Sequence, residues 1–229
     1  MKKLFNYFTK FEIVLWLTSV ILILSSFFVF DKENYLTLIA SIVGATFLIF
    51  NAKGNPIGQF LTIVFSVLYG IISYGFSYYG EMITYLGMTM PMAFFALISW
   101  LKNPYKKGKS EVKVNRISKI EIVFMMVLTI VVTIVFCFIL KHFNTANLLP
   151  STISVTTSFL AVYLTFRRSP YFALAYAMND LILIVLWILA TKTKITYLSV
   201  VICFLVFFVN DMYGFVSWKK MEKKQQNNL

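Results

Sequence analysis

Charge is the scarcest property of this sequence. Only 13% of its 229 residues are charged and only nine are acidic, while 59% are hydrophobic and the mean hydropathy is +0.80. A soluble domain of this length is about half apolar and about a quarter charged, so that class is excluded. Histidine occurs once, at His142, and cysteine twice, at Cys137 and Cys203, both inside apolar runs. Two buried small hydrophobes are therefore expected, rather than a disulfide or a metal pair. No Cys/His metal spacing, HExxH, P-loop or nucleophile elbow is present, so no enzyme class, cofactor or metal is indicated. A removable signal peptide is not expected either, because the apolar run 11–30 is followed by "DKEN" rather than a small-residue cleavage site.

What the chain has instead is long uncharged runs. A membrane-spanning helix needs about 20 apolar residues. Eight candidates fit: 11–30, 35–50, 57–75, 82–101, 120–140, 151–166, 171–190 and 195–218, the second and sixth being short. Pro56, Pro150 and Pro170 stand at or just before helix starts, where a missing N–H costs little. The expectation is an all-α, multi-pass membrane protein.

The basic residues orient it. Seventeen fall on the side of the termini: the N-terminus (Lys2, Lys3, Lys10), Lys53, the 102–119 loop, Arg167, Arg168 and the C-terminal tail. Only Lys32, Lys141, Lys192 and Lys194 fall on the other. This split places both termini in the cytoplasm of a cell-membrane protein. It also accounts for the net charge of +12, so nucleic acid is not an expected partner.

The halves repeat. "FEIVLW" (11–16) matches "IEIVFM" (120–125), "GNPIGQF" (54–60) matches "RSPYFAL" (168–174), and "ALISWLK" (96–102) matches "GFVSWKK" (214–220). The offsets are 109, 114 and 118 residues. Two four-helix repeats are parallel, related by an axis along the membrane normal, an arrangement that favours a transporter with its site between the halves.

Two polar pairs interrupt the greasiest helices. Asn179 and Asp180 lie in "YAMNDLILIVLW", and Asn210 and Asp211 in "FLVFFVNDMYGF". Each pair is eight residues from the same end of its helix, so at 1.5 Å per residue both sit about 12 Å inside. An aspartate at that depth costs about 2.5–3.5 kcal/mol, and such residues normally face a bundle interior or a wet cavity. Interhelical hydrogen bonding alone returns about 0.6 kcal/mol per contact, so a polar cavity for a ligand or ion is the stronger reading. Gln59 opens helix 3, either on the Thr62–Ser66 face or at the interface, and Glu81 has the position of a helix N-terminal acid. Pro91, mid-helix, marks a kink or plain packing. Tyr78 and Tyr79 belong to the interfacial belt. Tyr176, one turn from the first pair, and Trp187 on the same helix supply flat rings beside amide and carboxylate, as a heterocycle with a polar sugar requires. An aspartyl-protease dyad is excluded by the absence of glycine-rich context around either aspartate.

The strings "YGII…YYGE…PM…SWLKN", with an asparagine in each of the last two helices, resemble the PnuC family of vitamin transporters over residues 35–220, particularly its Gram-positive members. The resemblance implies a SWEET-like architecture: an extra helix in 1–34, a three-helix bundle in 35–101, a basic loop at 102–119, a linker helix at 120–140, a second bundle in 141–218 and a tail at 219–229. It implies a homotrimer and nicotinamide riboside as substrate, moved by facilitated diffusion and trapped inside by phosphorylation. Asn179 and Asn210 match pocket amides of the family, with Gln59 and Tyr69 contributing from the other half. Where many riboside carriers have Trp-x-x-Trp, this chain has Phe172 and Ala175, and Tyr176 is the ring left to stack. Asp180 and Asp211 are not family hallmarks. A deoxyribonucleoside or thiamine fits the architecture too, as does proton coupling through either aspartate.

Overall fold

The computed structural model describes residues 7–75 and 78–227, so Lys2 and Lys3 of the basic count lie outside the described residues. Eight helices are long and apolar enough to span a membrane. We label them α1 (Lys10–Ser26, continued by a π turn at Phe27–Asp31), α2 (Tyr35–Ala52), α3 (Pro56–Gly75) and α4 (Tyr79–Lys102). They continue with α5 (Lys119–His142), α6 (Leu148–Phe166), α7 (Tyr171–Thr191) and α8 (Ile195–Gln226). Several boundaries move outward from expectation, those of α6 and α8 among them. Helix α6 starts at Leu148 and takes Pro150 into its first turn, where no N–H is needed. Helix α8 runs on to Gln226, so most of the expected tail is helical.

Six helices close into a ring. In order α2, α3, α4, α6, α7 and α8, each packs on the next, and α8 returns to α2. Helix α1 lies outside, against α8 and α2, and α5 lies outside against α6. Their composition explains why. Only 11% of the most apolar window of α5 is buried, and 22% of that of α1, whereas half or more is buried in α2, α3, α6, α7 and α8. A helix apolar all round, with most of that surface uncovered, is one that lipid solvates. Close approaches set the seams. A Cβ on Gly44 of α2 would meet the Phe207 ring of α8 at 2.0 Å, so a larger residue there would have to push that ring aside.

The ends that carry the termini are built twice on one plan. Thr9 and Ser118 cap α1 and α5, each accepting from the N–H of a glutamate three residues on, Glu12 and Glu121. Glu12, 3% exposed, is paired with Lys53 at 3.1 Å, and Glu121 is paired with Arg167. The α2–α3 and α6–α7 turns hold Gly54 and Arg168 at φ +61° and +57°, both left-handed. Trp100 Nε1 donates to Thr165 O at 2.9 Å, and Trp218 Nε1 donates to Asn51 O at 2.7 Å. Ser99 and Ser217 repeat the exchange, to Phe166 O and Ala52 O. The last helix of each half is thus sewn to the opposite half.

The 102–119 loop is laid across both turns. Val112 N donates to Gly54 O at 3.0 Å and Asn115 N to Arg168 O at 3.0 Å. The end of α8 clips it in place, with Gln225 bonding Val112 O and Val114 N. Beneath it Trp100, Phe172 and Trp218 form a floor, each 1% exposed or less.

Candidate functional site

The inward faces of the ring follow helical spacing. Helix α7 turns Tyr176, Asp180, Leu183 and Trp187 to one side, at i, i+4, i+7 and i+11. Helix α3 likewise aligns Gln59, Thr62, Ser66, Tyr69 and Ser73, all buried. These faces meet where Trp187 Nε1 donates to the Tyr69 hydroxyl at 2.8 Å. Tyr85 of α4 tilts against Tyr69 with centroids 4.4 Å apart, and Tyr78 lies 5.0 Å from Trp187. These rings form a roof on the side away from the floor of Trp100, Phe172 and Trp218.

Polar groups collect between floor and roof. Asn179, 2% exposed, accepts through Oδ1 from three hydroxyls of α6: Ser154 at 3.2 Å, Thr157 at 2.8 Å and Ser158 at 3.0 Å. Its neighbour Asp180 faces Asp211 of α8, their carboxyls within hydrogen-bonding reach and each 5% exposed. The expectation that the pairs lie at one depth is met by this contact. Tyr176 stands beside both aspartates and edge-on to Phe172.

Two of the expected residues are placed apart from this group. Asn210 is rotated one residue around α8 from Asp211, and its amide donates to Ser19 of α1 at 2.9 Å and to Val206 O at 2.8 Å. It faces the outer helix, because successive residues of a helix are separated by about 100°. Gln59 is tied to Asn51 of α2 through Nε2 at 2.9 Å, close to the carbonyl that receives Trp218. It belongs to the floor level, in the α2–α3 seam, and not to the interface.

One residue joins the group against the slightly preferred expectation of a capping role. Glu81, expected as an N-terminal acid, is 2% exposed and turned inward. Its carboxyl reaches Ser154, the hydroxyl that also serves Asn179, and is near Tyr69, Tyr78 and Tyr85. No cap hydrogen bond comes from the side chain of Tyr78, the N-cap of α4. The available signal was spacing: Glu81, Tyr85 and Met88 fall at i, i+4 and i+7 on one face, and all three are buried. One turn after Glu81 the helix widens into a π turn at Tyr85–Thr89, just before Pro91, whose missing N–H frees a backbone carbonyl. The mid-helix proline therefore marks a distortion and not plain packing.

Three carboxyls thus stand inside the ring, and every described Lys, Arg and His lies at a helix end or in a loop. The five salt bridges found among the described residues are all on the terminal side. The acids are sealed from solvent, Glu81 being 2% exposed and Asp180 and Asp211 5% each, and the void between α2, α3 and α8 behind Tyr69 has room for about one water. No cluster of three or more His, Cys, Asp or Glu suited to a metal is found among the described residues, and Cys137 and Cys203 are both free.

A family profile described as "Nicotinamide mononucleotide transporter" matches residues 34–220. The chain is 28% identical to the nicotinamide riboside transporter PnuC of Neisseria mucosa, across 97% of this chain and 86% of that protein. It is 23% identical to the protein of the same name from Haemophilus influenzae, across 93% and 92%. The crystal structure of the vitamin B3 transporter PnuC superposes with a TM-score of 0.83 at 24% identity, over 95% of this chain and 94% of that one, which establishes the fold.

Proposed function

The chain belongs to the nicotinamide mononucleotide transporter family, and from that membership and the acid-lined interior of its ring we propose that it carries nicotinamide riboside across the cell membrane by facilitated diffusion. A family of transporters performs no chemistry on its cargo, and the role of the side chains is recognition. The names of the two relatives supply the candidate. The charge of the interior supplies the reason to prefer it.

In nicotinamide riboside the ring nitrogen is bonded to the sugar, so the ring is a pyridinium cation. Asp180, Asp211 and Glu81, buried without a basic side chain among them, favour a cation. A mononucleotide adds a phosphate of about −1.5 to −2 charges to the same ligand, which those carboxyls oppose. In this reading Asn179, Asp180 and Asp211 bond the sugar and carboxamide edges, Tyr176 or Trp187 stacks on the ring, and Tyr69 closes the roof. Gln59 and Asn210 brace the wall from the α2 and α1 sides. The two halves rock about the seam so that floor and roof open in turn. The repeated Glu–Lys and Glu–Arg pairs and the exchanged tryptophan bonds support two parallel repeats in a SWEET-like arrangement. The basic excess at the loop-covered end supports termini in the cytoplasm, and the broad apolar surfaces of α1 and α5 are compatible with a homotrimer in lipid.

Calorimetric titration of the purified chain tests the reading. Saturable binding of nicotinamide riboside, at least about tenfold tighter than that of nicotinamide mononucleotide, is the expected result; preference for the mononucleotide sinks it. Among the alternatives, thiamine shares the cationic ring and a deoxyribonucleoside does not, so the same titration ranks them. The facing of Asp180 and Asp211 favours one variant of the mechanism, proton coupling. If coupling operates, an imposed pH gradient drives accumulation of the riboside in proteoliposomes; simple equilibration rules it out.

A further inference from the structure

We propose that Glu81 is the residue that reads the positive charge of the ligand's ring, setting the preference for a cationic over a neutral nucleoside. This rests on the reading of the ring interior as the ligand site. The first ground is its placement. Glu81 is 2% exposed although it sits in the first turn of α4, at a helix end where a glutamate side chain ordinarily reaches water. The backbone before it runs close to the end of α5 and the α5–α6 turn: a Cβ on Gly80 would meet Thr145 at 2.7 Å and Leu140 at 2.9 Å. A larger residue there would have to displace the ends of the Thr145 and Leu140 side chains.

The second ground is its company. One carboxyl oxygen, Oε2, is buried with no hydrogen-bond partner among the described residues. A buried acceptor left unpaired is destabilising, and such an atom in a native structure calls for an explanation. The rings near that side chain are those of Tyr69, Tyr78 and Tyr85, and Tyr69 and Tyr78 both lead to Trp187. A carboxylate near electron-rich rings suits a flat cation, since charge attraction and cation–π contact act together. Asp180 also has an unpartnered oxygen, but its carboxyl already faces that of Asp211, and hydroxyl groups of a sugar satisfy that pair better than a ring. The ring end and the sugar end of a nucleoside are thereby assigned to different acids.

The test compares two ligands of one shape: nicotinamide riboside, whose ring is cationic, and its dihydro form, whose ring is neutral. Dissociation constants for both are measured by calorimetry on the full chain in detergent, for wild type, Glu81→Gln and Glu81→Asp. Wild type is expected to prefer the cation, and Glu81→Gln to lose about tenfold or more for the cation while the neutral form stays within about twofold. Glu81→Asp, which keeps the charge, is expected to retain a preference that the glutamine variant lacks. Equal affinities for both ligands in wild type overturn the proposal, and this holds whether or not the variants fold. Parallel loss of both ligands in Glu81→Gln also overturns it, since that is the signature of a structural role. If wild type binds neither ligand, the ligand reading of the ring itself falls and the assignment of Glu81 goes with it.

Discussion

Asn179 and Asn210 are the same residue type, followed by the same residue, at the same depth, and their surroundings divide them. The oxygen of Asn179 gathers three α6 hydroxyls at the edge of the ring interior, whereas the amide nitrogen of Asn210 donates to Ser19 and to its own helix and its oxygen has no partner among the described residues. Asn179→Ala is therefore expected to cut riboside uptake by about tenfold or more, through loss of a group at the sugar end. Asn210→Ala is expected to leave uptake near wild type and to lower the melting temperature, since removing a buried hydrogen-bonding pair costs about 1 kcal/mol. Initial uptake rates and melting curves of the two variants, measured side by side, check the division. Tyr69→Phe removes the acceptor of the Trp187 bond and is expected to cost about 0.5–1.5 kcal/mol, read as a fall of a few degrees in melting temperature. The identity of these residues was legible because a polar pair in an apolar helix is conspicuous. Which way each one points was not, since a step of one residue turns a side chain from ring to rim. Glu81 was hidden by the opposite effect: an acid near a helix start looks ordinary until the Gly80 backbone is seen to press against the next turn.

Among the elements, the terminal ends of the two halves make a natural experiment. Glu12 and Lys53 are 3% and 18% exposed, and Glu121 and Arg167 are 18% and 37% exposed. Ion pairs exposed to water contribute about 0–1 kcal/mol, whereas stranding a buried carboxylate costs about 3–5 kcal/mol. Lys53→Met is accordingly expected to destabilise the fold more than Arg167→Met, and a reversal of that order in thermal unfolding contradicts the burial argument. Gly54 holds φ +61° where a Cβ would press on Val112 and Met221, so Gly54→Val is expected to loosen the loop over the α2–α3 turn, visible as faster proteolysis within 102–119. Helix positions were readable from hydrophobic runs and prolines to within a few residues. The last turns of α8 were not, because beyond the membrane its residues are held by Glu111, Val112 and Val114 of a distant loop rather than by any apolar pattern. The π turn in α4 was likewise beyond the reach of Pro91 alone, although the proline marked its neighbourhood.

For the whole molecule, sequence repetition told of two halves but not of their exchange. The paired strings "ISWLK" and "VSWKK" meet in the fold as Trp100 and Trp218, 5.4 Å apart, each bonded to the carbonyl at the end of the other half's second helix. A floor built this way is shared, so opening it requires both halves to move. Closure of the ring by α8 on α2 and of α4 on α6 similarly depends on contacts between distant segments, which periodicity along one helix does not encode. Floor and roof are both shut in this conformation, with the acids sealed between them, and transport requires each to open while the other stays closed.

Everything turns on whether a cationic riboside passes through that sealed acidic interior. The direct measurement is equilibration of labelled nicotinamide riboside into proteoliposomes carrying the wild-type chain, Asp180→Asn or Asn210→Ala. The account predicts filling to equal internal and external concentration for wild type and Asn210→Ala, and strongly slowed filling for Asp180→Asn. Wild-type vesicles that fill no faster than protein-free ones, or an Asp180→Asn protein that transports like wild type, would contradict it.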